Sequence, residues 1–594
     1  MTQLPSRIGL VVSLFFVTAL SAQKNPGTSY YLRFSNPVGR IAEEALRARF
    51  DILPGSGNRL EVILSPAEYP EFQKLGYRTT LIARGQPFRD LTDAPDVRYY
   101  TPAEIEAKID TYVVAYPALA KKIDLSLLPG GAKTHEGRSI FGLKVSDNVA
   151  TEEDEPAILL ASQHHARELT TPIMLFHALD NILGGYSSNA TIRSIVNGYE
   201  LVFVPCVNPD GVNAVWTRDN FWRKNMRGGY GVDLNRNYPF LWGLCGASSS
   251  TRSQTYKGPS AGSEPETRTM MALNRIYRPE IYLDFHSYGR EVLFTYAPCA
   301  TVSSSVRSFI QSYADRLRSP MSYATRSPSA SGEAPEFHWG EGGAMSFLTE
   351  VNTTFQPDYS AGVSEAVRVW PGVFSALTTW RPAVRGHVTS LYKNEPVAAK
   401  VTYTPNSFSH GEQSASRARD GRFAVWLPRG NYQVKFEAPG YRTVTRSVSI
   451  TTPDAPKRMD VVMIPNMAAA TLSKSGSDRL GTTSTLTYRS TSDVNESYWV
   501  VLSLGNSPGV AVGAGRTIPL NVDGLFMFTL NPNALLINNA GTLPATGQAV
   551  VRFPIPNIVE FVGVTVHAGG ITVNADYLNF VKNFSPSVAM TLRR

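Results

Sequence analysis

The sequence predicts a central α/β domain in which a mixed, mostly parallel sheet carries helices on both faces. A small α+β domain precedes it and two β-sandwich domains follow it. Apolar runs of strand length alternate with helical patterns between residues 98 and 385, and the pattern changes to short period-two runs after Arg385. Alternation of strands and helices is typical of a parallel sheet covered by helices. Short period-two runs separated by glycine turns are typical of all-β domains.

Composition excludes several classes of protein. The chain has 594 residues, of which 43% are apolar and 18% charged, as in ordinary globular proteins of several domains. The formal charge of +8 is not concentrated in a basic run and no nucleic-acid motif accompanies it, so we expect no nucleic-acid partner. Beyond the N-terminus no run approaches the roughly 20 apolar residues that span a bilayer.

The N-terminus has the features of a secretion signal. Arg7 is followed by an apolar run at 8–20, too short for a membrane span, and by small residues at 19, 21 and 22. We therefore predict a signal peptide over residues 1–22 and a protein that is secreted or held at the cell surface. Export would permit a disulfide between Cys245 and Cys299, which both lie in loop-like sequence, whereas Cys206 lies in an apolar run and reads as a buried hydrophobic residue.

The first predicted domain covers residues 23–97. It contains a strand at 60–64, a helix start in which Ser65 and Glu68 have capping-box spacing, and a strand at 79–83. A polar linker at 84–90 follows, so this α+β unit could be an accessory domain or a removable one.

The central domain covers residues 98–385. It opens at Thr101 and Glu104, a second capping box, and its strands include the apolar runs 157–162, 201–206 and 281–285. Ser263, in the sequence Ser-Glu-Pro-Glu, is expected to cap a further helix. Ligands of such sheets bind beyond the carboxyl ends of the strands, which is where the polar residues 164–168 fall.

Two all-β units follow. Residues 386–465 contain period-two runs at 399–403, 423–427 and 432–436, and residues 466–594 contain runs at 498–502 and 561–566. Neither region carries a recognisable chemical constellation.

A metal site is predicted at the mouth of the central sheet. His165 and Glu168 lie three residues apart in the turn after the first strand, and His286 ends the strand at 281–285. Two histidines and one glutamate form a known catalytic zinc set. Each signal is weak alone, because His-x-x-Glu also occurs in solvated turns and a strand histidine is often a core residue.

Further polar clusters flank this set. Residues 222–225 and 233–237 carry arginines, which suit carboxylate recognition and oxyanion stabilisation. Glu350 ends an otherwise apolar run and is either a satisfied edge residue or a general base.

Together these motifs resemble the zinc carboxypeptidases, the funnelin metallopeptidases of the pancreatic and bacterial secreted type, over about residues 99–381. The resemblance rests on His165-Ala-Arg-Glu168, Asn208-Pro-Asp-Gly, Trp222-Arg-Lys-Asn, Asp233-x-Asn235-Arg236-Asn, Ser263-Glu-Pro-Glu, His286-Ser-Tyr and Phe347-Leu-Thr-Glu350, all in the family's order.

The resemblance implies a function for each matching residue. It implies one zinc ion held by His165, Glu168 and His286, with Glu350 as general base. The other implied roles are oxyanion stabilisation by Arg223, binding of the terminal carboxylate by Asn235 and Arg236, substrate contacts by Arg167 and Tyr288, and orientation of a ligand histidine by Asp233.

Two departures from the family pattern concern the substrate. The position of the family's mobile tyrosine holds Pro328, and Tyr323 is the nearest upstream candidate to replace it. The specificity position falls near Pro335, with Glu333 and Glu336 adjacent, which leaves open an acidic pocket for basic side chains.

The flanking regions fit the same resemblance. Residues 23–97 are similar to the N-terminal propeptide-like domain of secreted members, and 386–465 to the transthyretin-like, regulatory-like domain that follows some of them. Residues 466–594 resemble only extracellular β modules, a likeness that implies no function.

The predicted function is therefore a secreted zinc metallocarboxypeptidase acting on peptide or protein C-termini. Alternatives are an amidase or carboxypeptidase of cell-wall peptides, and a non-catalytic extracellular protein that binds peptides or glycans. The C-terminal β domains could attach the protein to a cell surface or matrix.

Overall fold

The computed structural model describes residues 27–35, 45–47, 49–53, 59–91, 98–405, 408–531 and 535–594. The predicted signal peptide lies outside these residues. Its strands are numbered β1 to β30 in chain order.

The N-terminal unit is a four-stranded antiparallel sheet with its own apolar core. Its order is β2-β3-β1-β4, and the strands are β1 Tyr30–Ser35, β2 Asp51–Leu53, β3 Arg59–Leu64 and β4 Thr79–Arg84. A short helix covers Tyr69–Gln73. The predicted capping bonds between Ser65 and Glu68 are present, but they close the turn before the helix, which begins at Tyr69.

An eight-stranded mixed sheet forms the centre of the molecule, as predicted. Its order is β11-β10-β12-β9-β7-β8-β6-β5. The strands are β5 Ala120–Asp124, β6 Phe141–Val145, β7 Ala157–Ser162, β8 Glu200–Val204, β9 Ile281–Ser287, β10 Glu291–Phe294, β11 Ala324–Arg326 and β12 Met345–Val351. The four central strands β12, β9, β7 and β8 run parallel and are almost entirely buried. Burial on both faces explains their continuous apolar sequences.

The helices of this domain follow the predicted alternation. They are Pro102–Ala115, Thr171–Gly185, Ala190–Val196, Pro209–Thr217, Pro265–Tyr277, Ser304–Arg318, Ala334–Gly340 and Tyr359–Thr379. The capping box of Thr101 and Glu104 is confirmed. The prediction for Ser263 is wrong, because the N-cap of the helix is Glu264 and the Ser263 hydroxyl donates to the Glu264 carboxylate instead.

The next unit consists of two small sheets that share the core of the central domain. Its strands are β13 Val384–Ser390, β14 Lys400–Thr404, β15 Ser414–Ala415, β16 Arg422–Val425, β17 Gly430–Glu437, β18 Val444–Ile450, β19 Lys457–Arg458 and β20 Val461–Met463. One continuous cluster of buried apolar side chains extends from Phe88 to Met463. At this boundary the Trp426 indole donates to the Glu280 carbonyl.

The C-terminal region is also all-β but has separate apolar cores. Its strands are β21 Thr471–Gly476, β22 Thr483–Arg489, β23 Ser497–Ser503, β24 Val510–Ala511, β25 Thr517–Ile518, β26 Ala540–Thr542, β27 Gln548–Pro554, β28 Thr565–Val573, β29 Val581–Phe584 and β30 Val588–Thr591, with one helix at Gly524–Thr529. The strand predicted at 561–566 begins only at Thr565, because Val559–Phe561 forms a 3-10 turn.

The three cysteines are all described by the structure. Cys245 and Cys299 form a disulfide bond, and Cys206 is buried. Among the described residues, no helix combines the length and apolar character needed to cross a bilayer.

Candidate active site and metal centre

Two imidazoles and one carboxylate converge at the carboxyl end of the central sheet. The Nδ1 atoms of His165 and His286 lie 3.0 Å apart, and the Glu168 carboxylate is 2.7 Å from the first and 3.1 Å from the second. All three side chains are buried, and their candidate ligand atoms lie within 4.8 Å of one another. The structure thus brings together the three predicted metal ligands.

The strand order explains this convergence. His165 and Glu168 lie in the turn between β7 and the helix Thr171–Gly185, and His286 is the sixth residue of β9. Because β7 and β9 are parallel neighbours, their carboxyl ends meet at one edge of the sheet.

The donor set fits a zinc ion. Catalytic zinc is held by three protein ligands, and each ligand histidine usually donates its other ring nitrogen to an acceptor. Here His165 Nε2 is 3.1 Å from Asp233 Oδ1, and His286 Nε2 is 3.2 Å from Asp284 Oδ2. These bonds direct the Nδ1 lone pairs of both rings to the same point.

The contact of Asp284 with His286 is one that the sequence did not predict. The resemblance implies that Asp233 orients a ligand histidine, whereas Asp284 lies within a run that the sequence predicts as an apolar strand. Asp284 precedes His286 by two residues, so both side chains lie on one face of β9. That spacing was the available signal.

Glu350 stands beside the ligand set. It pairs with His286 in the parallel register of β12 and β9, and it lines a cavity that His165 and Glu168 also line. Burial, reinforced by the Glu168 carboxylate, raises the pKa of Glu350 to about 8. Its Oε2 atom is buried and has no hydrogen-bond partner among the residues that the structure describes. A carboxylate with a free oxygen and a raised pKa is suited to accept a proton.

Arg223 and Arg167 lie on the other side of the ligands. The Arg223 Nε and Nη2 atoms donate to Asp233 Oδ2 at 3.0 and 2.9 Å. Although burial opposes it, the charge of Arg223 helps hold the pKa of Asp233 well below its ordinary value. Both arginines are buried at the cavity, as their predicted roles require.

An acidic residue of the N-terminal unit approaches both arginines. Asp51 Oδ2 accepts a hydrogen bond of 2.5 Å from Arg167 Nη2, and Asp51 Oδ1 lies 3.8 Å from Arg223 Nη1. Burial alone would raise the pKa of Asp51, but the two arginines lower it, so this carboxyl is ionised. Sequence analysis missed Asp51, because nothing in the chain around it distinguishes it from other acidic residues.

The two residues predicted to bind a terminal carboxylate also line the cavity. Asn235 and Arg236 lie in the 3-10 turn Leu234–Arg236. Arg236 Nη1 is 3.1 Å from Glu333 Oε1, and Asn235 Oδ1 accepts a hydrogen bond from the Ala334 backbone amide at 2.8 Å. Glu333 therefore lines the cavity beside these two residues. Glu336 does not, because it accepts hydrogen bonds from the Ala297 and Gly332 amides.

One cavity of about 400 Å³ is lined by eight of the eleven predicted site residues, and the exceptions are Asp233, His286 and Tyr323. Tyr288 lines it, with Phe355 packed against its ring. The structure does not bring Tyr323 to this cavity. Its hydroxyl is bonded to Glu365 and its side chain is buried elsewhere, because Glu365 is also paired with Arg290 and fixes the tyrosine there.

Sequence comparison agrees with this geometry. The zinc carboxypeptidase family matches residues 105–363, and the carboxypeptidase regulatory-like domain matches residues 383–464. The chain contains a zinc carboxypeptidase domain followed by a regulatory-like domain. The matched ranges correspond to the eight-stranded sheet with its helices and to the unit formed by β13 to β20.

Individual relatives match only part of the chain. A zinc carboxypeptidase of Simulium vittatum is 34% identical over 206 residues, which are 34% of this chain and 64% of that protein. A zinc carboxypeptidase of Saccharothrix mutabilis subsp. capreolus is 29% identical over 306 residues, covering 46% of this chain and 68% of that protein. The chain thus spans about two thirds of the length of these curated relatives.

A solved carboxypeptidase A from Helicoverpa armigera superposes with a TM-score of 0.49 and 20% identity, covering 59% of this chain and 97% of that chain.

Proposed function

We propose that the chain is a secreted zinc metallocarboxypeptidase that hydrolyses the last peptide bond of peptides or proteins. The observation that carries the proposal is the convergence of His165, Glu168 and His286 beside Glu350, whose Oε2 atom has no hydrogen-bond partner among the described residues. Secretion is supported by the signal-like sequence at residues 1–22 alone.

Glu350 would act as the general base. A zinc ion bound by the three ligands would supply Lewis-acid polarisation of the scissile carbonyl and of the attacking water. Glu350 accepts a proton from that water through its free Oε2 and can return it to the leaving amine.

Arg223 would stabilise the charge that develops on the carbonyl oxygen. Two of its nitrogens are held by Asp233, which fixes the guanidinium and leaves Nη1 directed towards the cavity. A donor held in place in a buried site stabilises an oxyanion without reorganisation.

Asn235 and Arg236 would make the enzyme an exopeptidase. Arg236 presents its guanidinium at the cavity, and arginine binds carboxylates through paired hydrogen bonds. Only a chain end carries the carboxylate that this site requires, so internal peptide bonds are not positioned for attack.

The N-terminal unit would act as a pro-segment. Asp51 places a carboxylate between Arg167 and Arg223, and Leu53 and Ile52 line the same cavity. A substrate must displace these residues before it can reach the arginines.

Glu350→Gln tests the proposal. The variant keeps the ligands but removes the base, so we expect hydrolysis of blocked dipeptides to fall by about 10²- to 10⁴-fold with one zinc still bound per chain. The assay uses the full chain and a chain that starts at Arg98, with metal content measured in parallel. Glu341→Gln, outside the cavity, is the control.

The outcomes separate the alternatives. Unchanged turnover in Glu350→Gln would contradict the mechanism. A wild-type protein that hydrolyses wall peptides but not simple dipeptides would be a cell-wall amidase, and one that binds zinc without hydrolysing either would be a binding protein.

A further inference from the structure

A buried chain of polar groups continues behind His286, away from the cavity. The Tyr238 hydroxyl lies 2.8 Å from His164 Nε2, and His164 Nδ1 lies 3.1 Å from Asp284 Oδ1. Asp284 Oδ2 in turn lies 3.2 Å from His286 Nε2. All four side chains are fully buried. The proposed mechanism uses neither His164 nor Tyr238.

The geometry of these four hydrogen-bonded side chains determines where their protons lie. Asp284 is an acceptor on both oxygens, so each imidazole donates to it, His164 from Nδ1 and His286 from Nε2. His164 Nε2 then accepts the hydroxyl proton of Tyr238. Every donor has one acceptor, and the lone pair of His286 is left on Nδ1, facing Glu168 and His165.

A second metal site at His164, Asp284 and His286 is the competing interpretation, because these residues also group within 4.8 Å. The hydrogen bonds oppose it. Both ring nitrogens of His164 have partners, and so do both oxygens of Asp284. His164 is also fixed through its backbone, since Asn208 Nδ2 donates to its carbonyl at 3.1 Å.

We propose that His164 is a positioning residue for the zinc ligand His286, acting through Asp284. Its Nδ1–H group holds the carboxylate so that Oδ2 accepts from His286 Nε2, which fixes the tautomer and the ring orientation that the ligand needs. The inference rests on the proposed zinc site. Bonds to the outer groups of a ligand histidine typically alter metal affinity by about 10- to 100-fold.

Zinc affinity of the full-length chain, measured by chelator competition, tests the proposal. His164→Leu removes the donor, and we expect its dissociation constant for zinc to rise about 10- to 100-fold. His164→Asn places an amide near the position of Nδ1 and is expected to stay within about threefold of wild type. His164→Gln places its amide near Nε2 instead and is expected to bind zinc as weakly as His164→Leu.

Two controls separate positioning from general stability. His338→Leu removes another fully buried histidine that is bonded to Asn274, so it should lower stability without weakening zinc binding. The visible spectrum of the cobalt-substituted protein reports ligand geometry directly, and it should change in His164→Gln but not in His164→Asn.

Three results would overturn the inference. These are equal zinc affinity in the Asn and Gln variants, wild-type affinity in folded His164→Leu, and two zinc ions per wild-type chain with one lost in His164→Leu. If His164→Leu does not fold, the comparison of zinc affinity between His164→Asn and His164→Gln still tests the proposal. A wild-type chain that binds no zinc would instead overturn the proposed function.

Discussion

Glu333 places a buried negative charge at the inner wall of the cavity. Its side chain is 6% exposed and lies 3.1 Å from Arg236, which is 9% exposed. Arg326, which also lines the cavity, is 40% exposed and paired with Glu291. The carboxylate of a bound C-terminal residue would therefore contact Arg236, and its side chain would contact Glu333.

We expect the enzyme to prefer lysine or arginine over leucine as the residue released. Glu333→Gln should lower kcat/KM for a dipeptide ending in lysine by roughly 10- to 100-fold, because a charge-assisted hydrogen bond is worth about 1.5–3 kcal/mol. Hydrolysis of the leucine analogue should be unchanged. Glu341→Gln, outside the cavity, serves as the control, and an unchanged lysine-to-leucine ratio in Glu333→Gln would exclude this role.

At the scale of elements, the sequence predicts a helix start correctly where the capping hydrogen bonds are made by neighbouring residues. The capping box at Thr101 forms because both of its partners lie within one turn. Ser263 has the same spacing, but Asn237 donates to its hydroxyl and accepts from the Glu264 amide, so contacts from a distant loop decide that helix start. Likewise Asp284 gains its role from strand register, which a single sequence does not display.

Asn208 caps the helix Pro209–Thr217 and also contacts the turn that carries the predicted zinc ligands. Asn208 Oδ1 accepts from the Gly211 amide at 2.9 Å, and Asn208 Nδ2 donates to the carbonyl of His164. Asn208→Ala loses the cap and leaves a buried carbonyl unpaired, so we expect a loss of about 2–4 kcal/mol in the free energy of unfolding. Asn189→Ala removes an exposed cap with no such second bond and should cost about 1 kcal/mol.

Denaturant unfolding of both variants measures this difference. Asn208→Ala should also weaken zinc binding, since it frees the turn that carries His165, whereas Asn189→Ala should leave zinc binding unchanged. Equal losses of stability in the two variants would contradict a special role for Asn208.

At the scale of the whole molecule, the site depends on residues that are remote in the chain. Asp51 meets Arg167 across 116 positions, and Asp219 accepts hydrogen bonds from the Ser29 amide and hydroxyl across 190. The order of the motifs predicts the ligands, Glu350 and the arginines, because each motif is local. It could not predict which residue of another domain covers them.

Asp51→Asn should raise the activity of the full-length chain. The substitution removes the charge that competes with a substrate for Arg167 and Arg223, while the N-terminal sheet remains folded around its own core. We expect kcat/KM for a blocked dipeptide to increase at least about 10-fold, in line with the loss of one charged hydrogen bond. Glu71→Gln, an exposed change on the same unit, should have no effect, and equal activity of wild type and Asp51→Asn would exclude a blocking role.

The division of the apolar cores predicts how the molecule unfolds. One continuous cluster joins the carboxypeptidase domain to the regulatory-like domain, and buried ion pairs reinforce their boundary, such as that of Arg417 with Glu200. The cores of residues 470–592 are separate.

Calorimetry should therefore show one unfolding transition for the regulatory-like and carboxypeptidase domains together, and a second transition for the C-terminal region. Removing residues 466–594 should abolish only that transition and leave zinc binding intact. If the midpoint temperature of the remaining transition falls by more than a few degrees in the truncated chain, the C-terminal region instead stabilises the whole molecule.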